Sequence, residues 1–150
     1  IIEALPYLDG YQLVIVGKGP YGGELRKLAS SINVDGRIEW LKDLPREELL
    51  KQYKSAGVFV FLSSFEAFGI TVAEAIASGT PCIVAETGAL KEFIDGGTCF
   101  GLSYPININE LVEKIIEVSK SEIDFLELPK DKIKSWDEGV DEHEKLYGAI

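Results

Sequence analysis

Apolar and polar positions along this chain fall into blocks that alternate between strand-like and helix-like spacing. The opening residues IIEALPYL read as the interior of an amphipathic helix. YQLVIVG, residues 11–17, predicts a short strand with a continuous apolar core, stopped by the glycine- and proline-rich KGPYGG. Residues 24–31 take helical spacing with Leu25 and Leu28 on one side, and residues 37–41, RIEWL, predict a second strand. Asp43 is placed to cap the next helix, with Pro45 in its first turn and Leu49, Leu50 and Tyr53 as its buried stripe.

GVFVFL, residues 57–62, is nearly all apolar, the pattern of a parallel strand covered on both faces. A helix over about 70–78 ends at Gly79, Pro81 opens the strand PCIVAE, and a short helix near 90–94 breaks at Gly96 and Gly97. Residues 98–102 predict a last short strand, and 108–118 an amphipathic helix with Leu111, Ile115 and Val118 on one stripe. Pro129 interrupts the segment beyond that helix, and residues 135–150 read as a polar helix anchored by Trp136, Val140 and Tyr147, suited either to a partner domain or to solvent. Strand and helix alternating at this spacing predict an α/β, doubly wound parallel sheet of Rossmann type.

Composition narrows the class. A length of 150 residues holds one domain with a real core, and an apolar fraction of 46% fits a folded one. Methionine is absent, position 1 included, and the chain is expected to continue upstream. No apolar run reaches the length of a membrane span, and nothing in this segment indicates a membrane surface. Cys82 and Cys99 lie in apolar segments and read as buried thiols of a cytoplasmic protein rather than as a disulfide or metal framework. The net charge of −10 argues against a nucleic-acid partner. Residues 107–150 carry 12 acidic and 6 basic side chains, so a phosphate-bearing ligand belongs with the earlier part of the chain.

The informative stretch is SSFEAFGITVAEAIASGTP, residues 63–81. It begins where a buried parallel strand ends, the edge at which open α/β sheets bind ligands. Gly69 lets the backbone turn closely under a ligand, and the amides of Ile70, Thr71 and Val72 fall in the first helical turn, where they form a seat for phosphate. Glu66 and Glu74 bracket this turn with seven residues between them. A carboxylate accepts two hydrogen bonds from a vicinal diol, so carboxylates on both sides of an anion seat suit a nucleoside-diphosphate sugar. A Glu near a helix start also favours the helix dipole with no function at all, and spacing alone leaves both readings open. Ala73, Ala75, Ala77 and Gly79 are small, which predicts close packing of this helix on its sheet.

This stretch resembles the hallmark of the retaining glycosyltransferases of group 1, or family 4, which have the GT-B fold of two Rossmann-like domains. The resemblance extends to VIVGKGP, YKSAGVFVFLS, PCIVAETGALKEFIDGG and KSWDEGVDEHEKLY, covering nearly the whole chain. It implies that residues 1–150 are the C-terminal, nucleotide-sugar-binding domain of such an enzyme. This domain is expected to lack its first, central strand, and so to leave apolar strand edges unpaired unless the sheet closes differently or other polypeptide fills the place. A last helix over about 135–148 is expected to pack against an absent N-terminal domain that binds most of the hydroxyl acceptor.

Carried onto this sequence, the resemblance assigns Glu66 to the transferred sugar and the catalytic region, and Glu74 to the ribose hydroxyls. Phe68, Gly69, Ile70 and Thr71 would line the sugar and diphosphate, with Val72 packed nearby. Gly17, Gly19, Leu41 and Lys42 would approach the diphosphate and base, and Gly88 and Glu92 would lie in a donor-side loop. The implied reaction is glycosyl transfer from an NDP-sugar substrate to a hydroxyl acceptor with retention, with no cofactor and no protein-bound metal.

The family's Arg and Lys pair for the diphosphate has no counterpart here, and Lys18 is a weak substitute. Gly57 stands where relatives often carry Asp. His143, in the polar tail, reads as a surface residue. Alternatives are a glycogen or starch synthase-like enzyme, a nucleotide-sugar epimerase, or a non-catalytic nucleotide-sugar-binding module.

Overall fold

A computed structural model describes residues 1–121. The expected helix at 135–148, with Trp136, Val140, His143 and Tyr147, lies outside the described residues. The chain runs through β1 (Leu13–Val16), α1 (Gly22–Ser31), β2 (Ile38–Leu41), α2 (Arg46–Ser55), β3 (Phe59–Phe61), α3 (Ile70–Ala77), β4 (Cys82–Ala85), β5 (Cys99–Leu102) and α4 (Ile108–Lys120). The 3₁₀ helices Ile2–Tyr7, Asp35–Arg37 and Gly88–Phe93 lie among them.

Among the described residues every strand pairing is parallel, as the apolar runs predict, but the strands form two groups: β1 with β2, and β3–β4–β5. β1 and β3 do not pair with each other. Their edges face a cleft of about 830 Å³ lined by residues 12–16 and 57–61, with Leu25, Leu28, Tyr53 and Thr71 among the other walls. The sheet therefore does not close over the expected gap. Val14 and Val16 remain 40% and 38% exposed on β1, and β3 is only half-buried for the same reason.

Helices cover both faces. On one side the 3₁₀ helix Ile2–Tyr7, α1 and α4 pack as Ile2, Leu5, Ala29, Leu111, Ile115 and Val118 around Ile38 and Ile83. On the other, Tyr53, Val72, Ala75, Ile76, Leu90 and Phe93 close over Cys82 and Val84. Successive residues of β3 and β4 alternate between the two clusters, Val60 and Ile83 to the first, Phe59, Phe61, Cys82 and Val84 to the second, as the period of a strand requires. Both cysteines are buried thiols, and burial pushes the Cys82 thiol up.

Some local expectations change. Residues 2–7 form a 3₁₀ rather than an α-helix, with Pro6 inside it and the Leu8 amide closing the last turn onto Leu5. Asp43 does not cap α2: it adopts a left-handed backbone at φ 48° and its carboxylate pairs with Lys18, while Pro45 itself is the N-cap residue. α3 packs through Val72, Ala75 and Ile76; Ala77 and Gly79 are exposed, so the small residues are not a continuous packing stripe. α4 starts as a well-formed helix should, with the Asn107 side chain accepting from the Asn109 and Glu110 amides.

Candidate functional site

The chain leaves β3 at Leu62 and reaches α3 at Ile70 through a loop held from beneath. The Thr87 hydroxyl donates to the Ser63 carbonyl at 2.7 Å, and the Ala89 amide donates to the Glu66 carbonyl at 3.2 Å. Gly88 lies between these two anchors at φ 46°, and a Cβ built on it would stand 2.6 Å from the Glu66 carbonyl oxygen. Only a residue without a side chain lets the two loops approach this closely. Glu66 Oε1 accepts from the amides of Ala67 and Phe68 at 3.0 and 3.3 Å, so its carboxylate is folded back over its own turn.

Gly69 is left-handed at φ 87°, and it is the N-cap of α3 with no side-chain cap. A Cβ there would meet Phe93 Cε2 at 3.0 Å and Leu90 Cδ2 at 3.2 Å. The first turn of α3 offers fewer donors than the sequence suggests. The Val72 amide already donates to the Gly69 carbonyl at 2.9 Å, which leaves the Ile70 and Thr71 amides without a partner among the described residues. Val72 itself is fully buried behind them. Two such amides, with the positive end of a helix behind them, are donors that an anion could use.

Glu74 lies one turn further on, with its side chain 15% exposed. Its Oε1 accepts from Arg46 Nη1 at 2.6 Å, across from the first residue of α2. Tyr53, seven positions along the same helix, lies close enough to feel the charge of both. Burial and the Glu74 carboxylate push its hydroxyl up to about 12, against a smaller opposing effect of Arg46. Neither Arg46 nor Tyr53 stands out in the sequence as a site residue; Tyr53 reads only as core, and Arg46 as one of many surface cations.

The remaining predicted residues divide by place. Gly17 and Leu41 come together: the Gly17 amide donates to the Leu41 carbonyl at 3.0 Å as β1 and β2 end. Gly19 and Lys42 are exposed in the loops beyond, and Lys18 is occupied by Asp43 at 2.7 Å. This group belongs to the two-stranded part of the sheet, whereas Glu66, Phe68, Gly69, Ile70, Thr71 and Glu74 come after β3. The Arg46–Glu74 pair ties the segment after β2 to α3. Phe68 is 65% exposed, open at the surface beside the two free amides. Glu92 is exposed on the 3₁₀ helix Gly88–Phe93, whose buried Leu90 and Phe93 back Gly69. Among the described residues no group of three or more His, Cys, Asp or Glu side chains is arranged to hold a metal ion. No helix there is long and apolar enough to cross a membrane.

Residues 1–136 match the family described as glycosyl transferases group 1. An uncharacterized glycosyltransferase of Methanocaldococcus jannaschii is 37% identical over 97 residues, 63% of this chain and 25% of that protein. D-inositol 3-phosphate glycosyltransferase of Mycolicibacterium smegmatis is 30% identical over 124 residues, 79% of this chain and 28% of that protein. The chain thus spans about a quarter of the length of these curated relatives. Among solved structures, the apo form of the lipopolysaccharide outer core galactosyltransferase WaaB matches with a TM-score of 0.82 at 19% identity, covering 99% of this chain and 44% of that one. Anabaena HepE in complex with UDP-glucose matches with a TM-score of 0.80 at 17% identity, covering 98% and 44%. At these identities the two structures show a shared fold.

Proposed function

The chain belongs to the glycosyl transferases group 1, with the Rossmann-like sheet of one half of a GT-B enzyme, and we propose that it is the donor-binding half of a retaining enzyme of the family 4 type. The reaction is transfer of a sugar from a nucleoside-diphosphate sugar to a hydroxyl acceptor. One observation carries this reading: after a parallel strand ends, two amides without a partner among the described residues, Ile70 and Thr71, lie in sequence between Glu66 and Glu74.

In this reading the diphosphate sits on the Ile70 and Thr71 amides. Negative charge grows on the leaving diphosphate as the glycosidic bond breaks, and donors already fixed by the fold stabilise it without reorganisation. Glu74 takes the ribose hydroxyls. Glu66 turns out from its own amides to orient the sugar, while Phe68 and Gly69 line it. Gly17, Gly19, Leu41 and Lys42 approach the base and diphosphate from the other part of the sheet, with Glu92 at the donor-side loop. The two-carboxylate scheme of retaining glycosidases does not apply, because Glu74 is engaged with the ribose.

The cleft between β1 and β3 supports the domain reading. Two parallel edges with apolar side chains on their faces suit one more parallel strand. We assign that strand to polypeptide upstream of Ile1, together with the acceptor-binding domain, and assign the segment near 135–148 to the contact with that domain. Two buried thiols fit a reducing compartment, the cytoplasm.

Calorimetric titration of the full-length protein with UDP, GDP, ADP and their glucose and mannose conjugates tests the donor site. Saturable binding that disappears in Glu74→Ala supports it and names the base; no binding of any of these donors would overturn it for them. The anomeric configuration of the product, read by NMR, tests retention.

A further inference from the structure

Arg46 is the first residue of α2, far in sequence from the stretch that carries the site, yet its guanidinium meets the Glu74 carboxylate at 2.6 Å. The two ends of this pair differ in their surroundings. The Arg46 side chain is 71% exposed and that of Glu74 only 15%. An ion pair between two exposed groups contributes little, but a carboxylate largely removed from water depends on its partner for orientation and for charge.

Among the described residues only Oε1 of Glu74 is used, and only one guanidinium nitrogen uses it. A carboxylate has about four lone-pair positions, so Oε2 and part of Oε1 stay available. The guanidinium also offsets a negative charge that would otherwise face an anionic ligand in a chain of net charge −10. A second cation on the β1–β2 side, Lys18, is already paired with Asp43.

We infer that Arg46 is a positioning residue for nucleotide binding: it fixes the Glu74 carboxylate so that the remaining oxygen meets the ribose hydroxyls. This inference rests on the assignment of Glu74 to the ribose in the proposed function. It places Arg46 outside direct contact with base or phosphate, and its effect passes through the hydroxyls alone.

The test compares binding of a ribonucleoside diphosphate, the one that titrates best among UDP, GDP and ADP, with its 2′-deoxy counterpart. The proteins are the full-length form and its Arg46→Ala, Arg46→Lys and Glu74→Ala variants, each checked for an unchanged melting transition. Arg46→Ala is expected to weaken the ribonucleotide about fivefold to tenfold and to leave the weaker 2′-deoxy ligand nearly unchanged, with Arg46→Lys in between. Equal weakening of both ligands would overturn the inference and make Arg46 a direct contact to phosphate or base. Tighter binding in Arg46→Ala would overturn it too, showing that Arg46 competes with the ribose for Glu74. If Glu74→Ala discriminates between the two ligands and Arg46→Ala does not, the inference falls and the ribose assignment stands. If Glu74→Ala leaves both unaffected, or no nucleotide binds, both fall.

Discussion

Gly88 sits against Glu66 so closely that a Cβ on the glycine would stand 2.6 Å from the glutamate's carbonyl oxygen. The loop after β4 thus fixes the height at which the loop after β3 carries its carboxylate, and the contact is backbone against backbone, with no flexible side chain to yield. Gly88→Ala must push the 63–69 loop outward. Expected are a stability loss of about 1–3 kcal/mol in thermal melts and a fall in transferase activity larger than that loss explains at temperatures where the variant is folded.

Glu66→Gln separates structure from chemistry. A glutamine carbonyl still accepts from the Ala67 and Phe68 amides, so stability should stay within about 0.5 kcal/mol of the parent. Turnover should drop by about a hundredfold or more if the charge of Glu66 acts on the sugar in the transition state. Steady-state kinetics with saturating donor read this directly, and an unchanged kcat would remove Glu66 from the catalytic role.

Asp95 links stability to pH. Burial alone would raise its carboxyl, but the Cys99 amide, the Thr98 hydroxyl and the amides of Gly97 and Thr98 together hold it below the usual carboxylate range. A depressed folded-state value means stability that is complete above the ordinary aspartate value of 3.8 and is lost as the pH falls through the folded value. Asp95→Asn should cost about 1 kcal/mol at neutral pH, and its urea midpoint should converge with that of the parent in acid.

Ile83 is fully buried in the middle of β4 and belongs to the cluster that spans both parts of the sheet. Ile83→Ala should cost about 2–5 kcal/mol in denaturant titrations. A cost near zero would mean that the two strand groups are not packed through this position.

The cleft makes its own prediction. Amides on the β1 and β3 edges that face it should exchange with solvent quickly in the isolated 150-residue chain and slowly in the full-length protein, where the proposed upstream strand pairs with them. Equal exchange in both would argue that nothing occupies the cleft.

What the sequence shows well is whatever repeats or stands in a row. The apolar runs around Val60 and Ile83 predict parallel strands because each strand serves both faces, and both clusters draw on them. Gly69 is legible as a turn because no other residue type accepts φ 87° at so tight a contact. Glu66 and Glu74 are legible as a bracket on one loop and one helix. Arg46 is not, since its tie to Glu74 depends on how α2 lies against α3, and no local pattern encodes that angle. Val72 offers the same lesson on a smaller scale: spacing puts its amide in the first turn, but a tight hydrogen bond to Gly69 takes it away. Asp43 has the composition of a helix cap, and a charge partner, Lys18, on the neighbouring loop holds it instead.

Cys82 and Cys99 lie side by side on β4 and β5, both wholly out of reach of solvent. A thiol reagent can touch either one only when the three-stranded part of the sheet opens. The molecule therefore carries its own stopwatch. The rate at which native protein is alkylated counts openings of the sheet that holds the Glu66 loop, and any ligand that binds only the folded sheet would slow the count without any label having to be introduced.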